Sequence, residues 1–68
     1  MDLAALEAGR SYWITYECRD IGYGVEAGVG VFVYRGPDGG WGKHAFTPDA
    51  WGPEIYLFPD EIKRLEDV

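Results

Sequence analysis

Cys18 and His44 are the one thiol and the one imidazole in the chain. Thiol catalysis would need them within hydrogen-bond reach of each other, with a third group orienting the ring. They fall in two different strand-like runs, and nothing in their spacing brings them together. A lone cysteine is more often a packed, buried side chain, so no catalytic residue is assigned and the chain reads as non-enzymatic. A metal centre needs three or four clustered ligands, which one His and one Cys standing apart do not supply; no metal or other cofactor is expected. Asp60 and Glu61 are adjacent, so their carboxylates diverge, and a place at the N-terminus of a helical turn accounts for both. No pair among the 12 acids has a pattern of its own.

Gly22-Tyr23-Gly24 and Gly28-Val29-Gly30 are G-x-G fragments, but a phosphate-binding fingerprint follows a strand and opens a helix. Here the glycines precede a strand, and they read as loop and bend positions. The aromatic residues of the loops carry more information. If the strands form an up-and-down meander, the loop after the first strand and the loop after the third emerge at the same end. Tyr23 and Trp51 would then be neighbours, with Asp20, Glu26, Asp49 and Glu54 as an acidic rim. Such a surface suits a partner protein with basic or Pro-containing segments, which it would hold by stacking, cation–π contact and charge. Trp51 has a competing role as a lid folded over the end of the sheet.

The elements that must position these residues are short. Residues 11–18 (SYWITYEC) are aromatic and β-branched without Gly or Pro, the composition of a strand. Alternation assigns Tyr12, Ile14, Tyr16 and Cys18 to the core and Trp13 to the other face. Residues 19–28 hold three glycines and read as a long loop. A second strand follows at 28–35, apolar on both faces and therefore central. GPDGG (36–40) is a turn, 41–47 a third strand, PDAWGP a loop, and 54–58 a fourth strand. Pro59 with two acids starts a helical turn near 59–62, and the preferred reading continues into a closing strand at 63–67 rather than a terminal helix. At the other end, DLAALEA (2–8) has the capping residues of a short helical turn, with Asp2 as N-cap and Gly9 beyond its end. So short a helix is stable only if Leu3 and Leu6 dock.

Composition limits the partners. The chain has 68 residues and a net charge of −6, with 47% of residues apolar. That apolar content is too high for an acidic disordered segment. Arg10, Arg19, Arg35, Lys43, Lys63 and Arg64 are scattered, whereas nucleic-acid binding starts from clustered Lys and Arg; direct nucleic-acid binding is not expected. The first ten residues carry acids where a signal peptide needs positive charge and lack its apolar run, and no stretch is long enough to cross a bilayer as a helix. Together with the single cysteine, this points to the cytoplasm and away from membranes. The chain contains no Asn or Gln, so recognition falls to carboxylates, aromatic faces, Tyr hydroxyls and backbone groups. One domain over 1–68 is expected, all-β or mainly β.

Four to five short antiparallel strands, a long first loop, a tight central turn and a helical turn before the last strand resemble a small SH3-like barrel. The resemblance is one of pattern, because no ALYDY-type run aligns around Tyr16 and Asp20. The functional expectation is a non-catalytic protein-interaction module of a bacterial or phage-type accessory protein. The alternative is an acidic inhibitor or nucleic-acid mimic that occupies the basic groove of a polymerase or nuclease. The outward Trp13 and the two-sided strand at 28–35 would also suit a homodimer.

Overall fold

β1 (Ser11–Asp20) and β2 (Gly24–Pro37) are the two long strands of the computed structural model, and every other element is arranged around them. The structure describes residues 3–20, 24–40 and 42–68. β3 (His44–Pro48), β4 (Ile55–Leu57) and β5 (Ile62–Asp67) complete one antiparallel sheet in the order β4-β3-β2-β1-β5. A single 3₁₀ turn, Pro59–Glu61, joins β4 to β5. Proline supplies the fixed φ at its first position. The Glu61 carboxylate accepts the Phe58 N–H at 2.7 Å, and the Glu61 N–H reaches the Phe58 carbonyl at 3.0 Å. Neither hydrogen-bonded edge is zipped to the other, so the sheet is not closed.

The sheet is nonetheless strongly curled. A flat five-stranded sheet would hold its edges about 19 Å apart, and β4 and β5 are those edges. The link from Leu57 to Ile62, three residues of it in 3₁₀ conformation, reaches only about 13 Å. Bulges aid the bend, since an extra residue on one strand increases local twist. The β2–β3 pairing shifts register between Tyr34 and Gly36, where Gly36 takes φ 97°, and the β1–β5 pairing shifts between Thr15 and Tyr16.

Curling brings one face of every strand into a common interior. Leu3, Tyr12, Ile14, Phe32, Tyr34, Phe46, Leu57 and Ile62 form the core, with Phe46 and Ile14 fully buried. Tyr16 and Cys18 pack against it half-buried, as alternation predicts for β1. Trp13 points the other way and stays 43% exposed. β2 is central as expected, although its two faces differ: Phe32 and Tyr34 are buried while Val29 is exposed.

Three expectations need correction. Residues 3–10 form no helix; Leu6 N–H closes a turn on Leu3 and Arg10 N–H another on Glu7. The competing force is the sheet. Gly9 N–H and the Arg10 carbonyl bond the backbone of Tyr34 at 2.7 and 2.9 Å, the Glu7 N–H donates to the Tyr12 hydroxyl at 3.0 Å, and Leu3 is buried. The segment thus docks on the sheet through its leucines without helical geometry, and the proposed N-cap, Asp2, lies outside the described residues. Second, the expected loop at 19–28 is mostly strand. β1 continues to Asp20 and β2 starts at Gly24, in unbroken register from Ser11↔Val33 to Asp20↔Gly24. Gly24 and Gly28 do not break the ladder because an antiparallel partner supplies the hydrogen bonds. Third, the third strand starts at His44 rather than at residue 41, since Gly42 takes φ 81° and the Asp38 N–H closes the preceding turn on the Lys43 carbonyl at 2.9 Å. The C-terminal reading of a turn followed by a strand agrees with the structure, with the 3₁₀ turn over 59–61 and β5 beginning at Ile62.

Candidate functional site

Five of the six residues assigned to a binding surface lie among the described residues. Asp49, Trp51 and Glu54 belong to the β3–β4 connection, whereas Glu26 lies on β2 and Asp20 closes β1 opposite Gly24. Tyr23 lies outside the described residues, and so therefore does its expected contact with Trp51.

The β3–β4 connection is held in shape by local contacts. The Asp49 N–H bonds the Val31 carbonyl at 3.0 Å, at the point where β2 parts from β3. Gly52 adopts φ 143°, and a side chain there would meet the Pro48 ring at 3.2 Å. At the far side of the loop Arg35 Nε donates to Thr47 Oγ1 at 3.2 Å, and Thr47 Oγ1 to Glu54 Oε2 at 3.4 Å. The Glu54 carboxylate also takes the Tyr56 hydroxyl as a hydrogen bond, and together with the nearby Asp38 charge this holds the Tyr56 phenol above its ordinary range. Trp51 is lifted clear of all this. It is 91% exposed and has no hydrogen-bond or ring partner among the described residues. Its role as a lid is thereby excluded.

Glu26 belongs to a second feature that the strand pattern did not reveal. Beyond Tyr16, β1 pairs only with β2, so that residues 17–20 and 24–27 form a two-stranded ribbon. Tyr16, Cys18 and Glu26 face Ile55, Tyr56 and Leu57 of β4 across a cavity of about 150 Å³. Alternation placed Tyr16 and Cys18 on the inward face of β1 correctly. What was missing was the curl that sets β4 against β1. The Gly28 backbone allows the Tyr16 ring to lie flat across the ribbon, where it meets Phe32 edge-on at 5.9 Å between centroids.

The electrostatics of this cavity follow from its acids. Burial, a hydrogen bond to Glu61 and the Glu61 and Glu26 charges push the Cys18 thiol above its ordinary value, with Lys43 opposing. Tyr16 is raised by burial and by Glu26. A thiol held protonated is a poor nucleophile. His44, for its part, is engaged elsewhere. Its Nδ1 lies 2.6 Å from the Tyr34 hydroxyl and its ring stacks on Tyr34 at 5.7 Å. The pair borders an open, mostly apolar cleft of about 520 Å³ under the N-terminal segment. Burial raises the Tyr34 phenol, with a smaller contribution from Tyr12.

Among the described residues no three His, Cys, Asp or Glu side chains converge on one point, and no helix is long and apolar enough to cross a membrane. No family model, no curated protein and no solved structure matches the chain.

Proposed function

We propose that this domain is a non-catalytic protein-interaction module, a small SH3-like barrel of a bacterial or phage-type cytoplasmic accessory protein that docks a basic or Pro-containing partner. The barrel reading is supported by the strand order and by the 3₁₀ turn that links the two edge strands. The observation that carries the function is Trp51. A tryptophan 91% exposed costs solubility and contributes nothing to folding, yet it stands on a loop anchored by the Asp49–Val31 hydrogen bond and flanked by Pro48 and Pro53. Rigid, exposed aromatic side chains are the usual anchors of protein interfaces. Asp49 and Glu54 beside it, and a net charge of −6, favour a cationic partner over nucleic acid or an anionic membrane.

Three of the acids are engaged by arginines of the chain itself and so are not free to imitate phosphates. Glu7 and Asp67 pair with Arg10, and Glu66 pairs with Arg64. The interaction reading is preferred for that reason.

The test is capture of partners on immobilised protein, with Trp51→Ala and Tyr23→Ala compared with wild type. Both variants keep the far-UV spectrum of the wild type and lose the captured band; capture equal to wild type by both ends the proposal.

A further inference from the structure

We propose that the cavity between β4 and the β1–β2 ribbon is a socket for one arginine side chain of the partner. This inference rests on the interaction reading above and assigns its charged contact to Glu26. A volume of about 150 Å³ is well below the roughly 300–1,000 Å³ of a drug-sized ligand site and fits a single extended side chain. Its walls are Tyr16, Ile55, Tyr56 and Leu57, apolar surface along which a long aliphatic stem can lie. At the rim stands Glu26, exposed and without an ion pair among the described residues. Burial is the main cause that raises Tyr16 and Cys18, and the Glu26 charge adds to it, least of all at Cys18.

Charge complementarity selects the occupant. An anionic side chain would meet the fields of Glu26 and Glu61, which Lys43 only partly offsets. A purely apolar one would desolvate the Glu26 carboxylate without pairing it. A guanidinium can pair with Glu26 through two parallel N–H donors and stack its plane on tyrosine, which an ammonium cannot do.

The probes are acetyl-Ala-Pro-Arg-Pro-Ala-amide and the same peptide with citrulline, the uncharged isostere, in place of arginine. Binding is read by backbone amide shifts and by the rate at which iodoacetamide alkylates Cys18 in the wall of the cavity. The arginine peptide is expected to shift Tyr16, Cys18, Ile55 and Leu57 and to slow alkylation. The citrulline peptide and the Glu26→Gln variant should each weaken binding at least about tenfold. Arginine-peptide shifts confined to the Trp51 loop, with Glu26→Gln indifferent, overturn the socket and leave the interaction module standing. Equal binding of the two peptides removes the charge contact. Absence of shifts with either peptide removes the socket and counts against the basic or Pro-containing partner as well.

Discussion

Tyr16 and Gly28 face each other across the β1–β2 ladder, and the Tyr16 ring occupies the space a Gly28 side chain would need. A Cβ at residue 28 would stand 2.6 Å from the phenolic oxygen and 2.7 Å from the carbon bearing it. The glycine is therefore required by packing and not by its backbone angles, since its φ is not among the positive ones. Gly28→Ala should destabilise the domain by about 1–3 kcal/mol, the usual cost of overpacking. In a Tyr16→Ala background the same change should be close to neutral. Urea denaturation of the four proteins of this double-mutant cycle measures the coupling.

Phe46 is fully buried and touches Tyr34 at 5.3 Å between ring centroids. Phe46→Ala should cost about 3–5 kcal/mol, most of the stability expected of so small a domain. Loss of the cooperative thermal transition, followed by circular dichroism at 25 °C and above, is the expected result.

Glu61 both caps the 3₁₀ turn and raises Cys18. Glu61→Ala should cost about 0.5–2 kcal/mol through the lost cap. Glu61→Gln removes the charge, so it should lower the Cys18 value and speed its alkylation at pH 8. Alkylation no faster than in wild type would mean that burial alone holds the thiol protonated.

The alkaline limb of stability follows from the same groups. Cys18, Tyr16, Tyr34 and Tyr56 all hold their protons more tightly folded than their ordinary values of 9.0 for Cys and 10.0 for Tyr. Groups raised in the folded state stabilise it fully below the unfolded value and lose that contribution as pH rises through the folded one. The urea midpoint should stay level with respect to these groups below about pH 8.5 and fall above it, first through Cys18 and then through the tyrosines. Cys18→Ala with Tyr16→Phe should flatten the early part of the decline.

Trp51→Ala should leave stability within about 0.5 kcal/mol of wild type, as substitutions of exposed side chains without partners do. The measurement is the midpoint of thermal unfolding, and a larger loss would show that the ring is packed in solution.

Local signals made most of the strands legible. SYWITYEC announced β1 and its inward set of Tyr12, Ile14, Tyr16 and Cys18, and the Pro59-Asp60-Glu61 run announced the turn before β5. Local signals failed where a partner strand outweighed them. Gly22, Gly24 and Gly28 suggested a loop, but the ladder runs from Asp20↔Gly24 through Tyr16↔Gly28 because cross-strand hydrogen bonds and the Tyr16 ring replace what glycine lacks. DLAALEA suggested a helix, but Gly9 and Arg10 found backbone partners on Tyr34 first.

The candidate site divides in the same way. The sequence by itself determined which chemistry was on hand: one thiol, one imidazole, no side-chain amides, and acids flanking Trp51 and Tyr23. It also showed that Trp51 sits on a loop between prolines, because that depends on neighbours in the chain. Only the tertiary structure decided that Trp51 stands in solvent and that Glu26 faces β4 across the Tyr16–Cys18 cavity. The physical reason is that alternation sets the face of a side chain, whereas the curl of the sheet sets which strand that face meets. Curl arises from bulges and a short edge-to-edge link, neither of which is a property of one strand alone.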